Sequence, residues 1–138
     1  MPGRTTRHLS LSEVIGLHEL MMTRMGSNPA PFRAGGEGLL ESAVMRPQMA
    51  EHYEGADVVR QAALLAVGVS QAQAFLDGSK RTAFIAADAL LRVNGYTSPS
   101  DSLEYARQLE AVATRPDSLD AATARFEAWL RANVAAAS

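Results

Sequence analysis

Apolar positions recur along this chain with the period of an α-helix, and nowhere do they alternate with period two over the length of a strand. Val14, Leu17, Leu20, Met21 and Met25 follow the capping pattern Ser10-x-x-Glu13, which predicts a first helix over Leu9–Met25. Gly26–Gly38, with two prolines and four glycines, predicts a loop. Leu39, Leu40, Ala43 and Val44 mark a second helix over Leu39–Glu51, ended or bent by Pro47. Asp57 is placed to cap a third, VVRQAALLAVGVSQAQAF, apolar nearly all round and hence buried on most sides. Leu76-Asp77-Gly78 breaks it. A fourth apolar helix runs from Ser79 to Asn94, with Gly95 as its stop. Pro99–Asp101 opens a fifth, to Thr114, with Leu103, Leu109 and Val112 inward. Pro116-Asp117-Ser118 opens the last, with Leu119, Phe126, Trp129 and Leu130 packing back on the core. The expected fold is all-α, a compact bundle in which a short polar turn joins two central buried helices.

The totals bound this picture. At 138 residues and 47% apolar, the chain suits one domain over 1–138, with residues 1–7 expected to be flexible. A net charge of −2 and a pI near 5.9 give no basic surplus, so no direct nucleic-acid partner is expected. With no cysteine, disulfides and thiolate metal sites are excluded. Charges break every apolar run before it reaches membrane-spanning length, and MPGRTTRHLS has no apolar core of a secretory signal. The expectation is a soluble, cytoplasmic protein without a membrane partner.

The stretch QAFLDGSKRTA, Gln73–Ala83, carries the chemistry. A helix starting at Ser79 leaves its first amides unpaired at the positive end of its dipole, where a phosphate fits. Gly78 lets successive amides curl into one concavity. Ser79 adds a hydroxyl, and Lys80 and Arg81 add charge, Arg81 as a bidentate fork. Asp77 is placed to hold Mg²⁺ between phosphates. Phe75 is expected to point inward and fix the turn. The alternative is an ordinary capped turn with solvated cations. There is no P-loop spacing.

The same stretch resembles the signature of the Fic/Doc superfamily, which in the Doc (death-on-curing) branch reads close to H-x-F-x-D-G-N-K-R-T-A. Phe75, Asp77, Gly78, Lys80, Arg81, Thr82 and Ala83 match it. HLSLSEVIGLHELMMTRMG, GLLESAVMRPQ, YEGAD and AFIAADALLRVNGY are similar to the family's surrounding segments, so the resemblance covers residues 7–130. It implies a helical bundle that binds ATP and Mg²⁺ and modifies a protein hydroxyl. Typical Fic proteins transfer AMP. Doc-type toxins move the terminal phosphate of ATP onto a translation elongation factor. Lys80 stands where Fic proteins usually have glycine, and Phe84 where they have a second arginine; both favour the Doc side. Ser100…Glu104 and Thr123…Glu127 approach the self-inhibitory Fic motif, but Tyr105 and Ala128 leave both incomplete. Inhibition is then expected from a separate antitoxin.

Two positions depart from the pattern. Gln73 stands where the family has its histidine base, and Ser79 where it has asparagine. A glutamine amide orients a hydroxyl but takes no proton, and losing a general base commonly costs about 10²–10⁴-fold. The chain has three histidines, His8, His18 and His52, and each is expected to be structural or surface. Asp77 would be a weak substitute base. Three readings stay open: an impaired protein retained for binding nucleotide or antitoxin, a slow enzyme working without a base, and a deliberately disabled toxin. A helical interaction protein without nucleotide is the bland alternative. The resemblance also makes GSNPAPFRAGGEG, with Phe32 and Arg33, a flap beside the cleft, and the face near Leu17 and Met21 a groove for an antitoxin tail.

Overall fold

A computed structural model describes residues 5–137. Among the described residues it contains six helices and no strand longer than an isolated bridge. The fold is all-α, as the periodicity predicts. No helix among the described residues is long and apolar enough to cross a membrane.

Helix α1 (Leu11–Arg24) starts from a complete capping box. The Glu13 amide donates to Ser10 Oγ at 3.1 Å, and the Ser10 amide donates to the Glu13 carboxylate at 2.8 Å. Helix α2 (Gly36–Glu54) starts earlier than expected and runs through Pro47. Pro47 removes one backbone donor, yet its ring is buried, and Leu40, Ala43, Val44 and Ala50 anchor the helix on both sides of it. Tertiary burial here outweighs the local break.

Helix α3 (Val58–Ala72) is the central rod. It packs against α2, α4 (Ser79–Val93), α5 (Ser102–Ala113) and α6 (Leu119–Ala132). Its burial from Gln61 to Ser70 is continuous, which explains why its sequence lacks a polar face. Asp57 caps it, accepting from the Arg60 amide at 2.9 Å, and Arg131 of α6 grips the same carboxylate at 2.8 and 3.0 Å. Gly68 lets α2 come close: a Cβ there would stand 3.2 Å from that of Ala43.

Asp101 caps α5 and Ser118 caps α6. The inward stripe of α5 is Tyr105, Leu109 and Val112. Leu103, expected inward, is 61% exposed, because it lies across the helix from that stripe. Tyr105 instead centres an aromatic cluster with Phe84, Phe126 and Trp129, ring centroids 4.6, 5.6 and 5.4 Å away. Of the stretch 1–7, residues 1–4 lie outside the described residues. Thr6 is buried and its amide donates to Glu51 at 2.9 Å. Asn94 accepts from the Arg7 amide at 2.8 Å and donates to its carbonyl at 3.0 Å.

Candidate active site

Helix α3 ends at Ala72, and Gln73 turns the chain with φ 44° and ψ 47°. It is the one non-glycine residue in the left-handed region among the described residues. That conformation costs an L-residue about 1–2 kcal/mol, so its surroundings must hold it. Arg33 does so. Its guanidinium donates to the Gln73 carbonyl and, at 3.1 Å, to the Ala72 carbonyl, at the negative end of α3. The main chain adds two bonds, Arg33 amide to Ala74 carbonyl at 2.8 Å and Leu76 amide to Pro31 carbonyl at 3.0 Å. Phe32 and Phe75 thereby pair as an antiparallel bridge. Gly36 packs beneath: a Cβ there would stand 2.1 Å from the Ala74 carbonyl oxygen. The loop 26–35 is thus sewn to the stretch after α3.

Phe75 is buried between Phe32, at 4.8 Å, and His18, at 3.6 Å with the rings 5° from parallel. Gly78 then takes φ 82° and ψ 9°. A side chain at Gly78 would press on Met21, Met22 and His18, at 3.0, 3.1 and 3.2 Å. No side chain caps α4, and Thr82 is the first of its amides to find a helical acceptor, the Gly78 carbonyl at 2.9 Å. The amides of Ser79, Lys80 and Arg81 therefore stand at an open, positive helix end.

This end opens onto a cleft of about 470 Å³. Gln73 and Ser70 of α3 form one wall and Asp77–Arg81 the next. Met21, Met22 and Met25 close the cleft from α1 and its C-cap. Lys80 pairs with Glu110 of α5, both more than half exposed. Arg81 is exposed and makes no ion pair among the described residues. Ser79 Oγ turns back to the Phe75 main chain, 3.3 Å from its amide and 3.4 Å from its carbonyl. Asp77 is exposed on the cleft wall. Among the described residues it joins no cluster of three metal-ligating side chains. Mg²⁺ takes most of its oxygens from phosphates and water, so a single carboxylate could hold it if a phosphate were bound beside it.

Family comparison agrees with this geometry. The sequence matches the Fic/DOC family over residues 8–91, from the start of α1 almost to the end of α4. It is also 36% identical over 101 residues to Toxin Doc of Mycolicibacterium smegmatis (strain ATCC 700084 / mc(2)155), covering 69% of this chain and 76% of that protein. The chain belongs to the Fic/DOC family.

In this Fic/DOC chain the residue at the end of α3 that lines the cleft is Gln73, and no histidine replaces it there. His18 is 1% exposed, sealed under Phe75, where no outside hydroxyl reaches it. The Thr82 hydroxyl donates to the Gly78 carbonyl at 2.8 Å, so its oxygen accepts the Nδ1–H of His18 at 2.9 Å. Burial holds the His18 pKa below its ordinary value, against the opposing pull of the Ala30 carbonyl, Asp77 and Glu19. His18 is thus a neutral strut beneath the turn. His8 contacts Glu51 at 2.7 Å, and His52 is exposed at the end of α2, edge-on to Tyr53.

Sequence reasoning gathered Gln73, Phe75, Asp77, Gly78, Ser79, Lys80 and Arg81, and the fold places all seven around one cleft. It missed Met22, Met25, Ser70 and Glu110. Ser70 carries a visible signal, a lone hydroxyl among buried apolar residues of α3. Glu110 carries none, since only the packing of α5 brings it to Lys80. Leu17 packs against the core and Met21 against the motif turn.

Proposed function

We propose that the protein is a Doc-like toxin that binds ATP with Mg²⁺ and transfers the terminal phosphoryl group to a protein hydroxyl, slowly. The observation that carries this reading is the uncapped start of α4, opened by Gly78 and flanked by Lys80, Arg81 and Asp77 on a cleft wall. The amides of Ser79, Lys80 and Arg81 would hold phosphate oxygens, with Arg81 as a free fork. Asp77 would hold Mg²⁺, which supplies charge neutralisation between phosphates when bound. A second cavity of about 340 Å³ adjoins Lys80 and Arg81, and its walls, Phe84, Leu103, Tyr105 and Leu109, suit a nucleoside.

In the transfer, the target oxygen bonds to the γ-phosphorus, the bond from that phosphorus to the β–γ bridging oxygen breaks, and ADP leaves. The hydroxyl proton passes to solvent, because the Gln73 amide does not take it and Asp77 would be engaged with Mg²⁺. A loose transition state depends mainly on positioning and charge, so slow transfer survives without a base. The likeness to a protein named Toxin Doc supports an antitoxin as partner. A translation elongation factor as target is proposed from the resemblance of the motif to that of Doc-type toxins. Both would meet the protein in the cytoplasm. Lys80 and Phe84 favour phosphoryl over AMP transfer.

Label transfer in a bacterial lysate tests this. γ-Labelled ATP should mark a protein weakly with the chain as it stands and strongly with the Gln73→His, Ser79→Asn double variant. Label from α-labelled ATP instead would make it an AMP transferase. Label only with the double variant would leave binding as the function of the present chain. No label with either would withdraw the catalytic reading.

A further inference from the structure

Ser70 is 3% exposed, and its hydroxyl has no hydrogen-bond partner among the described residues. A serine inside a helix normally returns its proton to the carbonyl four residues back, here that of Ala66. Ser70 does not. A buried hydroxyl left without a partner destabilises the fold, so the vacancy calls for an explanation. Ser70 lies on the wall of the cleft, one turn before Gln73, and meets the same space as Gly78, Lys80 and Arg81. The cleft has one other hydroxyl in its lining, that of Ser79, already committed to the Phe75 main chain. Among the described residues Ser70 therefore carries the one uncommitted hydroxyl in the lining.

We infer that Ser70 is a further ligand-binding residue of this cleft, its hydroxyl donating to a phosphate oxygen of the guest. The open amides of α4 fix the phosphate from one side, and Ser70 meets it from α3. Loss of its donor therefore weakens phosphate binding without harming the fold. This rests on the phosphate-binding reading above and adds to it a residue outside the QAFLDGSKRTA stretch.

The test is titration of the full chain and its Ser70→Ala variant with Mg-ATP and with inorganic pyrophosphate, beside thermal unfolding of both without ligand. The expected result is about a tenfold loss of affinity for both ligands, the usual size for a hydrogen bond to a charged group. The melting temperature should hold or rise, because alanine removes a hydroxyl that has no partner. Equal affinity in the two proteins would mean that the hydroxyl holds only a trapped water, and would overturn the assignment while leaving the phosphate site intact. A loss with Mg-ATP but not with pyrophosphate would move the contact to the nucleoside and overturn it too. A lower melting temperature for Ser70→Ala would reveal an internal partner and do the same. If the unaltered protein binds neither ligand, the phosphate-binding reading falls, and the Ser70 assignment with it.

Discussion

At the scale of single residues, the site depends on atoms that are missing. Gly36 has no Cβ because the Ala74 carbonyl oxygen lies 2.1 Å from where it would be. The obstacle is backbone, which cannot swing aside as a side chain tip does. Gly36→Ala should therefore cost about 3 kcal/mol, the upper end for overpacking, read from urea unfolding. A loss within ~0.5 kcal/mol would mean that the loop and the motif are less tightly joined than described. His18 makes the complementary case, a polar ring fixed by what surrounds it. Its pKa is lowered in the fold by burial, so the unfolded chain takes a proton near 6.5 while the folded chain does not. The stability this contributes is present above 6.5 and is lost as the pH falls below it. The unfolding midpoint should drop between pH 7 and pH 5, and His18→Gln should remove that slope while lowering stability throughout. The lowered carboxyl pKa values of Glu51 and Asp57 act further down, below their ordinary values of 4.5 and 3.8. An unaltered protein with a flat midpoint over that range would show that the ring ionises in place.

At the scale of elements, the loop before α2 works as a clamp. Arg33 binds the last carbonyls of α3, and its own amide binds Ala74. Arg33→Ala should cost roughly 0.3–1 kcal/mol, as for an exposed cation removed from a helix C-terminus. Amide exchange of Leu76, bonded to Pro31, should quicken more than that of α3; equal rates would detach the clamp from the site. Such ties also mark the limit of sequence reading. The caps of α1 and α3 and the glycine before α4 were legible because each is a local pattern of a few residues. The passage of α2 through Pro47 was not, since burial of residues on both sides decided it. Leu103 failed for a related reason: α5 has apolar residues on more than one side, and only packing chose Tyr105. The motif residues could be gathered in advance because they are contiguous. The methionine wall and Ser70 reach the cleft from α1 and α3, and Glu110 reaches Lys80 from α5; spacing along the chain says nothing of that.

At the scale of the molecule, α3 touches four of the other helices and shares its buried length among them. The segment before α1 is tied to α2 through Glu51 and to the C-cap of α4 through Asn94. The buried apolar residues described form one core cluster that includes those of α3. Unfolding should therefore be a single transition. The chain has one tryptophan, Trp129, set among Tyr105 and Phe126 far along the chain from α1. Its fluorescence and the helical circular dichroism should report the same midpoint; separate midpoints would divide the bundle into independent parts.

The hold on Gln73 has a consequence for heredity. Its backbone is fixed by Arg33 and by the bridge between Phe32 and Phe75, while its side chain is exposed in the cleft. Histidine is among the residues that tolerate the left-handed region better than most. The shape of the site is thus independent of which of the two side chains it carries. Every glutamine codon becomes a histidine codon by a change in its last base. A lineage carrying this gene would stand one point mutation from a histidine at this position, with no refolding to be selected along the way, and, on the proposed function, a partner that restrains the protein would keep its value even if the chemistry were slow.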